Sequence, residues 1–118
     1  MIERYTRPEM GAVWAEANRY RTWLAVEIAV CEAWARLGKI PAASLRRIKA
    51  RAGFDAGRID AIERVVKHDI IAFLTSVAEK VGPDSRFIHL GLTSYDVVDT
   101  ALSLLIKESL VKIRRDLV

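Results

Sequence analysis

The sequence predicts an all-α protein. Apolar residues recur at three- and four-residue steps along most of the chain, and no segment shows the strict alternation of a half-buried strand. Glycine or proline separates several of the helical patterns. The 118 residues are 52% hydrophobic and 29% charged, a composition typical of a globular domain that buries roughly two-thirds of its unfolded surface. No apolar run approaches the roughly 18 residues that a membrane span needs, so no membrane partner is expected.

The first two predicted helices differ in length. TRPE at positions 6–9 has capping-box spacing with proline in the first turn, and predicts a short helix to about Ala17. Asn18 is the predicted cap of a longer second helix, which Gly38 and Pro41 end. The expected buried stripe of this second helix consists of Trp23, Leu24, Ile28, Cys31, Trp34 and Leu37.

Three shorter helices follow. The third begins at Pro41 and closes near Gly53. Asp55 caps the fourth, whose expected buried stripe is Ile59, Ile62, Val65 and Val66. A break at residues 67–69 separates it from a fifth helix over residues 70–81.

An irregular segment over residues 84–92 leads into a long final helix. Thr93 and Asp96 stand at capping-box spacing, and no glycine or proline follows them. At ~1.5 Å per residue this helix spans about 37 Å, a length typical of a bundle of similar helices. We therefore expect a small helical N-terminal domain over residues 1–93 and, over residues 94–118, the first long helix of a bundle that continues in a longer protein. Its expected apolar stripe is Val97, Val98, Ala101, Leu102, Leu105, Ile106, Leu110 and Ile113.

Charge and cysteine content narrow the class of protein. The net charge is +4, but the basic residues are scattered. Their one dense cluster, over residues 46–51, fits the solvated face of a short helix better than a nucleic-acid patch, so no nucleic-acid partner is expected. The single cysteine excludes an internal disulfide and indicates a cytoplasmic protein. The apolar neighbours of Cys31 indicate an inert core thiol.

Both histidines fall at predicted helix breaks and not on apolar stripes. His68 lies between Lys67 and Asp69, which places a cation, an imidazole and a carboxylate side by side. One interpretation is that Asp69 merely caps the fifth helix. Alternatively, Lys67 and His68 present positive charge and hydrogen-bond donors to an anionic ligand. His89 lies in the irregular segment over residues 84–92 that leads into the final helix.

The turn before the final helix predicts an anion site. A helix N-terminus exposes unpaired N–H groups and partial positive charge, and Gly91 permits close approach of a ligand. Capping explains one of the hydroxyls of Thr93 and Ser94, but not both. Asp96 and Asp99 lie one turn apart with no histidine at matching spacing, so an orienting role is favoured over a metal pair.

Several segments carry a family resemblance. HLGLTSYDVVDTAL at positions 89–102 has the pattern H-x-G-x-T-S-x-D-x-x-D-T, which resembles the fumarase/aspartase superfamily and, within it, the adenylosuccinate lyase family. The opening MIERYTRPEM, the segment WLAVEIAVCEAWARLGKIP and KHDIIAF resemble, in matching order, the amino-terminal part of the bacterial enzymes. The carboxymuconate cycloisomerase branch carries a similar histidine-to-TSxDxxDT segment and is the nearest alternative. Its members are not expected to carry the Arg4-Tyr5 start or the KHD cluster.

The resemblance implies elimination of fumarate from adenylosuccinate to give AMP, and from the succinyl-carboxamide ribotide (SAICAR to AICAR), in purine biosynthesis. It implies a nucleotide substrate, no metal or organic cofactor, and a homotetramer whose active sites are shared between subunits. The family's general acid and general base lie beyond residue 118, so the chain alone is expected to be inactive. A non-enzymatic helical binding module is the alternative from another class; it explains the basic charge and the apolar stripes, but not the polar clusters.

The resemblance also implies residue roles. Arg4 and Tyr5 match residues that hold the nucleotide, and Thr93 and Ser94 match a pair that holds a succinyl carboxylate. The substrate-binding set is Arg4, Tyr5, Lys67, His68, Asp69, Thr93 and Ser94.

Two histidines are implied as supporting catalytic residues. His68 matches a residue close to the reacting centre, and His89 matches an active-site histidine that orients the substrate. Asp96 and Asp99 match supports beneath them.

Overall fold

The structure is a computed structural model that describes residues 2–118. Over these residues it contains six α-helices, two short 3₁₀ helices and no strand, which confirms the all-α prediction. None of the helices described is long and apolar enough to cross a membrane. The α-helices are α1 (Pro8–Val13), α2 (Glu16–Arg36), α3 (Ala42–Arg51), α4 (Ala56–Val66), α5 (Asp69–Val81) and α6 (Ser94–Leu117), and the 3₁₀ helices are Glu3–Tyr5 and Pro83–Phe87.

The predicted caps of the first two helices are wrong. The Thr6 hydroxyl donates to the carbonyl oxygen of Ile2 at 2.7 Å and does not cap α1. Helix α1 also ends at Val13, short of the predicted Ala17. Asn18 lies inside α2, and its amide donates to the carbonyl oxygen of Val13 at 2.9 Å. In both cases the side chain donates a hydrogen bond to a carbonyl oxygen of an earlier residue. Polar side chains near helix ends often form such a bond in place of a cap.

The later helix ends are confirmed. Gly38 follows α2 with φ of +71°, and the next N–H, that of Lys39, donates to the carbonyl oxygen of Trp34 at 2.9 Å, as in a Schellman motif. Asp55 caps α4 by accepting from the N–H of Arg58 at 2.8 Å. The predicted break before α5 is present, with Lys67 in the left-handed region at φ +55°.

Four aromatic rings form the centre of the core. Phe73, on α5, is fully buried and lies 5.5 Å from Trp23, 6.0 Å from Tyr20 and 6.4 Å from Phe54, measured between ring centroids. Helices α2 and α5 supply three of the four rings. The contact between these two helices therefore forms the centre of the core, and the other helices pack around it.

The predicted apolar stripes are only partly buried. Ile59 and Ile62 are buried, whereas Val65 and Val66 are 80% and 41% exposed. On α2, Leu24 and Ile28 are half-buried and Leu37 is 69% exposed. On α6, the buried residues are Val97, Ala101 and Leu105, while Leu102, Ile106, Leu110 and Ile113 are exposed. Helix α6 packs mainly on α2 and α1, so only one side of it is covered.

Helix α1 lies against the C-terminal part of α6. Two ion pairs join them, Arg7 with Asp116 and Glu9 with Arg115. The N-terminal 3₁₀ helix directly precedes α1. The start of the chain therefore lies near the far end of α6, away from Thr93.

An ion pair between the exposed Arg47 and the nearly buried Asp84 joins α3 to the second 3₁₀ helix. Asp84 accepts from Arg47 Nε at 2.5 Å and from Arg47 Nη2 at 3.1 Å. The hydrogen bond from Arg47 lowers the pKa of Asp84 from 3.8 to about 2, with help from Ser44. A carboxyl group whose pKa is lowered by folding stabilises the fold above its unfolded pKa, and this contribution is lost as the pH falls from about 4 to about 2.

Asp84→Asn should therefore lower the thermal midpoint at pH 7, and the difference from the wild type should shrink between about pH 4 and about pH 2. Circular dichroism melts at pH 2, 4 and 7 measure both effects. Asp60→Asn, at an exposed position of α4, is the control and should leave the midpoint nearly unchanged. A pH-independent difference for Asp84→Asn would contradict the assignment.

Candidate functional site

One face of α2 holds the loop over residues 88–93, which connects the second 3₁₀ helix to α6. Glu27, Cys31 and Trp34 lie four and three residues apart and share this face. The Cys31 thiol donates to the carbonyl oxygen of Phe87 at 3.7 Å, and Trp34 Nε1 donates to that of Leu90 at 2.9 Å. Burial raises the pKa of Cys31 to about 11, which fits the inert core thiol that the sequence predicts. The loop is thus tied to a rigid helix.

His89 occupies a special backbone conformation in this loop. Its φ is +65°, in the left-handed region that non-glycine residues rarely adopt. Its main-chain N–H donates to Oε2 of Glu27 at 2.9 Å, and its Nδ1 lies 2.5 Å from Oε1 of the same carboxylate. Burial raises the pKa of Glu27, and the hydrogen bonds from His89 oppose that rise.

Glu27 is a residue that the sequence interpretation missed. It is 1% exposed and lies on the buried side of α2, four residues from both Trp23 and Cys31. A carboxylate in the middle of an apolar stripe was the available signal, since buried carboxylates require a partner.

The N-terminus of α6 is capped by Thr93. The predicted capping box with Asp96 is present: the Thr93 N–H donates to Asp96 Oδ2 at 2.7 Å, and the Thr93 hydroxyl lies 3.1 Å from the same oxygen. These hydrogen bonds lower the pKa of Asp96, and the bond from the Thr93 main-chain N–H has the largest effect. The hydroxyl of Ser94 forms no hydrogen bond within residues 2–118. Capping therefore accounts for Thr93, and Ser94 keeps a donor for a ligand.

Gly91 allows the loop to pass close to α2. Its φ is +74°, and an added Cβ would lie 3.3 Å from Trp34 Cζ2. Both the conformation and the contact favour glycine.

The KHD cluster lies at the junction of α4 and α5. His68, and not Asp69, is the cap residue of α5, and its Nδ1 accepts from the N–H of Ile71 at 3.4 Å. Asp69 accepts from the N–H of Ile70 at 2.7 Å and lies 3.6 Å from His68 Nδ1. Both side chains thus help to cap the helix, and Lys67 is exposed.

The described chain brings some predicted site residues together and separates others. A shallow groove lined by Ile71, Thr75 and Ile88 connects the first turns of α5 with the start of the 88–93 loop. Arg4 and Tyr5 lie elsewhere. Their 3₁₀ helix adjoins α1, which is paired with the last turns of α6, roughly 30 Å from its first turn at ~1.5 Å per residue.

Arg4 and Tyr5 contact each other and are open to solvent. The Arg4 guanidinium lies 4.8 Å from the centre of the Tyr5 ring, which is 74% exposed. Asp99 is exposed as well, and its side chain forms no hydrogen bond within residues 2–118. Residues 2–118 contain no group of three or more potential metal ligands.

The arrangement suits the binding of an anion. The unpaired N–H groups of the first turn of α6 and the Ser94 hydroxyl lie at one place, beside His89. The rigid contacts to α2 fix these groups before a ligand arrives, which lowers the entropy cost of binding.

The fold is that of an all-helical lyase. Residues 3–118 match the family model described as Lyase, and the chain belongs to this family. Within it, the chain is similar to the adenylosuccinate lyases of Aquifex aeolicus, at 54% identity over 99% of the chain, and of Synechocystis sp., at 60% identity over 93%. It spans 28% and 26% of the length of these two relatives.

Two solved structures share the fold. A fumarate lyase from Mesorhizobium sp. BNC1 matches with a TM-score of 0.82 and 26% identity, over 90% of this chain and 26% of that one. The 3-carboxy-cis,cis-muconate lactonizing enzyme from Pseudomonas putida matches with a TM-score of 0.86 and 27% identity, over 96% of this chain and 27% of that one. The expected resemblance to a lyase superfamily is confirmed.

Proposed function

We propose that the chain is the amino-terminal part of an adenylosuccinate lyase, which eliminates fumarate from adenylosuccinate and from the succinyl-carboxamide ribotide. The observation that carries the proposal is the identity of 54% and 60% to enzymes of that name over nearly the whole chain. The anion site at the start of α6 supports it, because a succinyl group carries two carboxylates.

The proposed role of this part of the enzyme is binding and charge stabilisation. A base removes a proton from the carbon beside a succinyl carboxylate, and negative charge accumulates on that carboxylate. The α6 N-terminus, with Thr93 and Ser94, holds it there, and His89 orients it. An acid then protonates the departing nitrogen. We place both the acid and the base beyond residue 118.

The second cluster and the chain start have proposed roles as well. Lys67, His68 and Asp69 form a further substrate-binding segment, with His68 close to the reacting centre. Arg4 and Tyr5 hold the nucleotide. Asp96 and Asp99 are proposed to support the site at the start of α6.

We propose a cytoplasmic homotetramer with active sites shared between subunits. The position of Arg4 and Tyr5 supports this: their 3₁₀ helix adjoins α1, which is paired with the last turns of α6, so one copy does not gather them with the first turn of α6 at one ligand. The uncovered side of α6 supports it too, with Leu102, Ile106, Leu110 and Ile113 exposed. In this proposal residues 1–93 form the N-terminal domain and residues 94–118 begin the bundle.

The test is fumarate release. The full-length gene product, incubated with adenylosuccinate, should form fumarate and AMP in equal amounts, and the 118-residue chain alone should form neither. Parallel incubation with 3-carboxy-cis,cis-muconate tests the alternative that the likeness to the Pseudomonas putida enzyme raises. Turnover of that compound without fumarate release from adenylosuccinate would refute the proposal. Fumarate release by the 118-residue chain would refute the placement of acid and base.

A further inference from the structure

Glu27 is a buried charged group with a single partner. Its side chain is 1% exposed, and both of its carboxylate oxygens bond to His89 and to no other residue within 2–118. Neither Arg nor Lys pairs with it there. A buried carboxylate is costly unless its hydrogen bonds compensate for lost water. His89 is therefore the residue whose hydrogen bonds compensate for the burial of Glu27.

The first oxygen fixes the backbone of His89. The main-chain N–H of His89 donates to Oε2 at 2.9 Å while the residue has φ of +65°. A left-handed conformation is unfavourable at a non-glycine residue and persists where surrounding contacts enforce it. Glu27 supplies such a contact, 62 residues away in sequence.

The second oxygen fixes the ring. Oε1 lies 2.5 Å from Nδ1, within hydrogen-bond contact and closer than the ~2.7–2.9 Å of most charge-assisted N–H···O bonds. Burial raises the pKa of Glu27, whereas the hydrogen bonds from His89, that of its main-chain N–H included, oppose the rise and favour the ionised form. An ionised carboxylate accepts only, so Nδ1 must carry the proton in this contact. No group within 2–118 bonds to Nε2.

We propose that Glu27 is a positioning residue: it keeps the proton of His89 on Nδ1 and presents Nε2 at the start of α6, as the nitrogen that meets the ligand. The role at the ligand rests on the proposed function, whereas the Glu27–His89 contact does not. The charged groups that face His89 are Glu27 from α2 and Asp96 from α6. Because Glu27 occupies Nδ1, a ligand meets only Nε2.

The first test reads the tautomer directly. The full-length gene product is labelled with ¹³C,¹⁵N-histidine, sedimented, and studied by magic-angle-spinning NMR, with His89 assigned by its loss in His89→Gln. The ¹⁵N shift of Nδ1 should be that of a protonated nitrogen. A neutral His89 with its proton on Nε2 would overturn the proposal.

Glu27→Gln should change which ring nitrogen of His89 carries the proton, without changing the shape of the side chain at position 27. Its amide oxygen can still accept the main-chain N–H, while its NH₂ group donates to Nδ1. The proton should then move to Nε2, with the Nδ1 shift becoming that of an unprotonated nitrogen. Glu32→Gln is the matched control on the same helix, since Glu32 pairs with Lys49 at the surface, and should leave His89 unchanged. Should Glu27→Gln not fold, the wild-type spectrum alone decides.

Activity tests the link to function. Glu27→Gln should lower kcat/KM for fumarate release about tenfold, as losses of partners that orient a functional histidine do. The loss should vanish on a His89→Gln background, because Glu27 acts through His89. Losses that add fully in the double variant would overturn the positioning role. A protein without lyase activity but with the expected tautomers would refute the proposed function and leave the contact intact.

Discussion

Replacement of Phe73 by alanine is expected to lower the free energy of unfolding by about 3–5 kcal/mol, the usual cost of deleting a buried phenyl ring. Phe73 is 0% exposed and contacts three other aromatic rings, those of Tyr20, Trp23 and Phe54. The variant loses apolar burial and leaves a cavity between α2 and α5 that rigid rings cannot fill. A loss of this size is a large share of the stability of a small domain.

Urea unfolding of the 118-residue chain, followed by tryptophan fluorescence, measures the effect. Trp23 lies 5.5 Å from Phe73 and reports on the same cluster. The control is Val65→Ala, at a position that is 80% exposed, which should change the free energy of unfolding by no more than about 0.5 kcal/mol. A loss below about 1 kcal/mol for Phe73→Ala would mean that the aromatic cluster does not organise the core.

Helix ends were predictable where the stop signal acts on its own neighbours. Gly38, Asp55 and Thr93 satisfy groups within five residues of themselves, so the local sequence contains the information. Thr6 and Asn18 have the same chemistry, but each reaches backward to a carbonyl of the preceding residues. The choice between the two bonds depends on the path of the chain, which residue type alone does not determine.

Apolar periodicity predicts which face of a helix is apolar, but not whether another helix covers it. On α6 the period places Leu105 and Ile106 on the same stripe, yet the structure buries the first and exposes the second at 44%. The neighbour that decides this lies far away in sequence, on α2. The same limit explains the exposed Val65 at the end of α4.

Only the part of the site that neighbouring residues form could be predicted from the sequence. The turn before α6 carries recognisable helix-start chemistry, and the structure assigns the cap to Thr93. The other half comes from α2, where Glu27 and Trp34 bond to the loop across 62 and 56 positions of sequence. A single sequence does not show which carboxylate meets which histidine. Its one clue was a glutamate on an apolar stripe.

The second large effect is expected at Ser94. Its hydroxyl forms no hydrogen bond within residues 2–118, whereas that of Thr93 lies 3.1 Å from the Asp96 carboxylate in the capping box. A substitution at Ser94 therefore removes a free donor and leaves the cap in place. A hydrogen bond to a charged group contributes about 1.5–3 kcal/mol. In the full-length gene product, Ser94→Ala should lower kcat/KM for fumarate release by about 10- to 150-fold.

Two comparisons separate ligand binding from helix stability. Ser94→Ala should leave the thermal midpoint nearly unchanged, whereas Thr93→Ala should lower it, because a lost cap costs roughly 1 kcal/mol. Ser103→Ala on the same helix removes a hydroxyl that bonds to the carbonyl of Asp99, and should preserve activity. If Ser94→Ala keeps full activity, the succinyl carboxylate does not bind at the Ser94 hydroxyl. If it loses activity together with stability, Ser94 belongs to the cap and the free hydroxyl has no part in binding.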